Sequence, residues 1–378
     1  MYNIHSHYEN IFHYLNSIIA DPILLYLHPF GATQPENIEV IMADRPDLSR
    51  EDRGPIFLCY DQEPLLPDYN RELFESIKER WDAPYILLNT ERDSESKKYI
   101  LREHSMLDVN YFFHGLCASD WYRGYFYDKR ITDPSKRTIK KSYVTLNRIT
   151  SGERVYRIIF VAKLIEKGLD KSGMISFSDV CVDSGKHALA ELHLYGLEHN
   201  INTSPLVAAL ASAELPMRFD TPDDKVIPNG SHVLGPIDKF MECAFFVVTE
   251  TCFWDRKTHL TEKIFKPIVM KMPFILLGPA HNLQYLRSYG FKTFGAWIDE
   301  SYDDIEDNME RIDAVVQVLF NLQTQDLEKM LVEMESILEH NYNLFYSKEF
   351  SNGVWTEMTD NIKSSLQQAG VPLLPQKP

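Results

Sequence analysis

Short apolar runs rich in β-formers recur along this chain, separated by stretches with helical spacing. Ile23–Leu27, Ile38–Met42, Ile56–Cys59, Tyr85–Leu88 and Tyr111–Phe113 read as strands. Tyr69–Arg80 and Ser94–Glu103 read as helices between them. The alternation predicts a parallel α/β sheet in the first third of the chain. Asp128–Lys141 (DKRITDPSKRTIKK) is basic, polar and turn-rich, and reads as a linker. A second α/β series follows, with a strand at Ser142–Leu146 and a helix at Ser151–Lys167. Two further strands, Phe245–Val248 and Phe274–Leu277, are spaced for a right-handed crossover. Tyr302–Phe320 and Asp326–His340 read as helices, and the Pro-rich tail from Ala369 as loose. The expected division is therefore 1–140, 141–345 and a C-terminal helix and tail over 346–378.

Composition narrows the function classes. The chain has 378 residues, 44% hydrophobic and 25% charged, which is ordinary for a two-domain soluble protein. Its formal net charge of −16 argues against a nucleic-acid polymer as the main partner, since phosphate-backbone binding needs a basic footprint. One small diphosphate held by a few local cations remains compatible with that balance. The first residues (MYNIHSHYENIFHYLNSIIADP) lack a basic leader and are interrupted by His, Asn and Asp, so neither a signal peptide nor a membrane span is expected. Cys59, Cys117, Cys181, Cys243 and Cys252 form no Cys-x-x-Cys pair, and the histidines show no zinc spacing. A reducing, cytoplasmic setting without a metal site follows as the expectation.

The segment 245–279 carries the most chemistry. Glu250, Thr251, Glu262 and Lys263 fall between two buried strands, where open α/β sheets place ligands. A lysine at a helix N-terminus opposes the helix dipole, and a phosphate between the two makes the arrangement favourable. That points to a nucleotide or nucleotide-sugar site. Arg148, Arg154 and Arg157 add positive charge after the strand ending at Asn147, with Ser151 as a possible helix cap. Their alternative is pairing with surface acids. Asp61 and Glu63 follow the strand Ile56–Cys59, ahead of Pro64. A carboxylate at a strand's carboxyl edge can act as a general base, or simply cap a turn. Glu91 ends a third strand. Trp121 and Trp254 are candidate contacts to a base or sugar, or core aromatics. Asp223-Asp224 and Asp303-Asp304 stand in turn-like or helix-start settings.

Segment 245–279 resembles the signature region of the family 10 glycosyltransferases, the α-1,3-fucosyltransferases. Thr249-Glu250-Thr251 stands where that family has Phe-Glu-Asn, and Leu260-Thr261-Glu262-Lys263 where it has Val-Thr-Glu-Lys. Phe274–Pro279 gives the closing strand and turn. Thr251 departs from the Asn, and Pro267 lies inside the expected helix. The close match is confined to this segment. The resemblance implies a GT-B fold: two Rossmann-like domains with an interdomain cleft, the acceptor side in the first and the nucleotide sugar in the second. It implies GDP-fucose or another nucleoside-diphosphate sugar as donor, no further cofactor, an acceptor hydroxyl on a glycan or other molecule, and inversion without a metal. In the family the motif Glu contacts the nucleoside and the motif Lys the diphosphate. Arg154, with Arg148 second, stands nearest to the family's diphosphate arginine. A bacterial-type stretch carrying the base stands at the place of Phe57–Pro64, which implies Asp61 or Glu63 in that role; Glu91, at the third acid-bearing strand end, is the next candidate or only a cap of the helix from Ser94. The alternatives are a non-catalytic nucleotide-sugar binding protein on the same scaffold, or a transferase using a different donor.

Overall fold

The structure, a computed structural model, describes residues 4–27, 38–42, 54–65, 67–80, 84–132, 137–217 and 233–375. The chain divides into two compact units. The first is Met1–Asp120 with Lys348–Pro378, and the second is Trp121–Ser347. The sequence-based boundaries at 140/141 and 345/346 differ from this division. The basic stretch around Asp128–Lys141 includes a short helix, and Lys348–Pro378 belongs to the first unit.

The first unit runs α1 (Ile4–Ile18), β1 (Ile23–Leu27), β2 (Ile38–Met42), β3 (Ile56–Cys59), α2 (Pro67–Arg80), β4 (Tyr85–Asn89), α3 (Glu95–Glu103), β5 (Met106–Asn110) and α4 (Phe113–Trp121). Strand order is β2-β1-β3-β4-β5. β1, β3, β4 and β5 are parallel, and the apolar runs of β1, β3 and β4 are buried in register, Leu25 beside Leu58 and Leu58 beside Leu87. Leu73, Phe74 and Ile77 of α2 and Ile100 of α3 pack on that face. Ser94 caps α3 by accepting the Lys97 N–H at 3.1 Å.

Two expectations change here. β2 pairs antiparallel to β1. Only residues 28–37 connect them, shorter than the dozen or more residues that a parallel return needs. The strand expected at Tyr111–Phe113 is instead Met106–Asn110, and Phe113 opens α4. Asp108 and Asn110 break the apolar run of β5 and hid it from a hydrophobicity reading. Tyr111, Phe112 and Phe113 are fully buried because the chain turns inward beyond the strand.

The second unit continues with α5 (Lys129–Thr132), β6 (Lys141–Asn147), α6 (Tyr156–Glu166), β7 (Gly173–Phe177), α7 (Ala188–His199), α8 (Ser204–Ser212) and α9 (Ile237–Phe240). Then come β8 (Cys243–Thr249), α10 (Phe265–Val269), β9 (Phe274–Leu277), α11 (Asn282–Ser288), α12 (Asn308–Leu322) and α13 (Leu327–Phe345). The four strands are all parallel in the order β7-β6-β8-β9. Every residue of β8 is buried, as a strand covered on both faces requires. The chain leaves β6 toward β7 and later returns to β6's other side as β8. The reversal of strand order therefore falls between β6 and β8. In open α/β sheets that switch point is where ligands bind, beyond the carboxyl ends.

Pro267 is accommodated because α10 is only five residues long. The proline sits in its first turn, where a missing N–H costs little. α14 (Lys348–Gln368) buries Val354, Met358, Ile362 and Leu366 and packs on β5. Ser365 Oγ donates to Asp108 O and Asn361 Nδ2 to Asn110 O, both at 2.6 Å, and Arg92 pairs with Glu357. The tail expected to be loose is pinned where Leu374 N–H donates to Ile18 O at 2.7 Å. No helix among the described residues is long and apolar enough to cross a membrane.

The sealed face of α14 gives a direct expectation. Ile362→Ala leaves a cavity over the β5 edge and lowers unfolding free energy by about 2–5 kcal/mol, measured by denaturant titration. A change within about 0.5 kcal/mol would mean that α14 does not close the first unit.

Candidate functional site

The carboxyl ends of β6 and β8 are bound together by one buried guanidinium. Arg157, on the first turn of α6, donates through Nη1 to Ile149 O at 2.9 Å. Its Nη2 donates to Thr249 O at 2.9 Å and Glu250 O at 2.8 Å. Thr249 Oγ1 adds a bond to Leu146 O at 2.9 Å. Of the three arginines that the sequence groups together, Arg157 is thus committed to backbone carbonyls. Arg148 is exposed just beyond β6, and Arg154 is half-buried at the end of a 3-10 turn, Gly152–Arg154. Ser151 does not cap a helix. Its side chain makes no cap bond, and its Oγ lies 3.4 Å from Cys181 Sγ. The expected helix Ser151–Lys167 begins as that 3-10 turn and becomes α-helical only at Tyr156.

Glu250 leaves β8 fully buried. Its Oε1 accepts the Thr261 N–H at 3.2 Å, and its Oε2 accepts the Thr261 hydroxyl at 2.6 Å and the Thr251 N–H at 3.2 Å. Burial raises its pKa, and Lys263 and Thr261 oppose the rise. Its carbonyl receives the Tyr156 hydroxyl as well as Arg157. Lys263 Nζ lies 2.9 Å from Thr251 Oγ1, 3.1 Å from Thr261 Oγ1 and 3.2 Å from Glu262 Oε1. The Lys263 side chain is 29% exposed and that of Glu262 12%. Glu250, Thr251, Glu262 and Lys263 are therefore brought together at the end of β8.

The sequence places Lys263 at the N-terminus of a helix, but the helix there is too short for its dipole to matter. Thr261 caps only a 3-10 turn, Glu262–Ile264, which runs into the short α10. No long helix, and hence no sizeable macrodipole, stands behind Lys263. Its ammonium is held by side-chain oxygens instead.

Around this group the loops are fixed by a second buried guanidinium. Arg311 of α12 donates to Gly278 O at 3.0 Å, Phe253 O at 3.1 Å and Ile305 O at 2.6 Å, and lies 4.6 Å from the Phe253 ring centroid. Burial pulls its pKa down to about 10. Sequence reading did not single out Arg311, because a lone arginine on an amphipathic helix carries no local signal. Trp254 stacks on Tyr195 at 5.1 Å and meets Phe253 edge-on at 5.2 Å. Asp303 accepts the Leu283 and Gln284 N–H groups at the start of α11, and Asp223-Asp224 lies outside the described residues. Among the described residues no group of three or more His, Cys, Asp or Glu side chains is placed to hold a metal.

In the first unit, Asp61 follows β3 at the place where strand order reverses between β1 and β3. It is 1% exposed. Tyr8 of α1 donates its hydroxyl to Oδ1 at 2.7 Å, and Tyr111 donates to Oδ2. Gln62 Nε2 donates to Tyr26 Oη at 2.8 Å and Tyr8 Oη at 3.3 Å, and His7 Nε2 lies 3.1 Å from Tyr111 Oη. Glu63 is half-buried. Glu91 is fully buried, and its Oε1 accepts the Leu65 N–H at 2.7 Å, which staples the loop after β3.

Burial pushes the Asp61 pKa up to about 7, against the pull of both tyrosines. The folded chain thus binds this proton more tightly than the unfolded chain does. The resulting stabilisation is complete below about pH 4 and is lost as pH rises to about 7. His7, driven down to about 3 by burial, stays neutral across that window. The stability of the parent relative to Asp61→Asn should therefore fall between about pH 4 and about pH 7. Denaturant titrations across that range check it, and a difference independent of pH would show that folding does not raise the Asp61 pKa.

No model of a protein family matches the chain, and no curated protein matches it.

Proposed function

We propose that this chain is a glycosyltransferase of GT-B type, taking a nucleoside-diphosphate sugar as donor and an acceptor hydroxyl as co-substrate. One observation carries the reading: Glu250, Thr251, Glu262 and Lys263 converge beyond the carboxyl end of β8, beside the switch point of an all-parallel sheet. A partly exposed cation in that position suits an anionic ligand. The resemblance to the fucosyltransferases makes GDP-fucose one candidate donor, beside other nucleoside-diphosphate sugars.

In this reading the second unit holds the donor. Lys263 and Arg154, with Arg148, neutralise charge on the departing diphosphate. Glu262 accepts hydrogen bonds from the nucleoside. The first unit supplies the acceptor side. Asp61 has both oxygens on tyrosine hydroxyls and is sealed from solvent, whereas Glu63 is half-buried. That contrast favours Glu63 as the base and Asp61 as the group that sets the turn bearing it. The acceptor oxygen attacks the anomeric carbon as the bond to the diphosphate oxygen breaks, and Glu63 takes the hydroxyl proton. One such displacement inverts the anomeric centre. With side-chain cations on the diphosphate, no metal is required.

The burial of Asp61 also favours a second reading, a nucleotide-sugar binding protein without catalysis. Slow hydrolysis of the donor in the absence of acceptor distinguishes the two, since a catalyst shows it and a binding protein does not.

Lys263→Ala should weaken binding of nucleoside diphosphates by about 1.5–3 kcal/mol while leaving the protein folded, as titration calorimetry would show. Equal affinity of parent and variant for GDP, UDP and ADP would remove the donor assignment. Glu63→Gln should slow transfer by about 10²–10⁴-fold with diphosphate affinity unchanged. Parental turnover in that variant would place the base elsewhere.

A further inference from the structure

The Glu250 side chain is fully buried and cannot meet a ligand directly, yet it is densely hydrogen-bonded. Its carboxylate receives three donors, and its carbonyl receives two more from Tyr156 and Arg157. The Thr261 hydroxyl has a single hydrogen, and that hydrogen points at Glu250 Oε2 over 2.6 Å. The Thr261 oxygen is then left only as an acceptor, and it faces Lys263 Nζ at 3.1 Å. Thr251 works through its backbone. Its N–H on Glu250 Oε2 fixes the residue so that Oγ1 receives Lys263 Nζ at 2.9 Å. Two of the three ammonium hydrogens are thereby held on neutral oxygens. The third lies toward Glu262 Oε1, at 3.2 Å.

Resting on the donor-site reading above, we infer that Glu250 is a positioning residue: acting through Thr251 and Thr261, it aims the third N–H of Lys263 at an oxygen of a nucleoside diphosphate. A buried carboxylate costs free energy unless its hydrogen bonds are made. Here those bonds set the rotor of Thr261 and the backbone of Thr251, and so preorganise the cation. A preset ammonium loses less freedom when the anion arrives than a lysine on a free stem would. Thr251 has a place in the same arrangement, since its hydroxyl supplies a neutral acceptor that competes with no ligand charge. The phosphate oxygen takes the direction that Glu262 occupies, and the Glu262 carboxylate turns outward.

The test uses the full chain and titration calorimetry with GDP, UDP and ADP, each set against its nucleoside. Thr261→Val keeps the shape but removes the hydroxyl, Thr261→Ser keeps the hydroxyl, and Glu250→Gln keeps the size but removes the charge. Thr261→Val and Glu250→Gln should each lower diphosphate affinity about 10-fold, the scale of one charge-assisted hydrogen bond. Nucleoside affinity should stay at the parental level, and Thr261→Ser should restore diphosphate binding. If Lys263→Ala loses diphosphate affinity while Thr261→Val and Glu250→Gln keep it, the donor reading stands and the positioning role falls. If Lys263→Ala binds every diphosphate like the parent, both fall. Parallel losses of nucleoside affinity, diphosphate affinity and thermal stability in Thr261→Val would mark a purely structural contact and overturn the inference.

Discussion

The guanidinium of Arg157 is the contact on which the second unit's carboxyl edge depends. Three carbonyls, from two different strand ends, converge on it within 2.9 Å. A buried cation of this kind is costly unless its donors are used, and a buried carbonyl is costly unless it accepts. Each satisfies the other, and the ends of β6 and β8 are locked at the point where strand order reverses. Glu250 takes its position from that lock, and Thr251, Thr261 and Lys263 take theirs from Glu250. Arg311 does for the loops after β8 and β9 what Arg157 does for the strand ends.

Both units follow the same topological logic. In each, the chain leaves a strand toward one edge and resumes on that strand's other side. β1 and β3 flank the reversal in the first unit, and β6 and β8 in the second. In each, a buried acid follows the later of those strands, Asp61 after β3 and Glu250 after β8. Their surroundings differ. Asp61 is met by tyrosine hydroxyls from α1 and from beyond β5, with no cation among the causes that shift its pKa, and burial drives it toward neutrality. Glu250 has Lys263 within electrostatic reach, which partly offsets its burial. The same residue class thus becomes a buried tie between two tyrosines in one unit and an organiser of a cation in the other.

The sequence by itself determined the α/β class and most strands, because fully buried parallel strands are written as unbroken apolar runs. Ile23–Leu27, Ile56–Cys59 and Phe274–Leu277 match their expected bounds. β5 was missed because Asp108 interrupts it, and β7 because Gly173 and Ser176 dilute it. The motif residues Glu250, Thr251, Glu262 and Lys263 were legible as a group, since strand ends and turn residues are local signals. Tertiary structure alone decided what each of them does. No local pattern says that Arg157 would be used up on carbonyls while Arg148 stays exposed, or that Asp61 would be enclosed by Tyr8 and Tyr111, which are 53 and 50 residues away in the chain. Burial and hydrogen-bond partners are set by which distant segments arrive at a strand end. Those arrivals depend on packing and topology, which the order of residues encodes only through the whole fold.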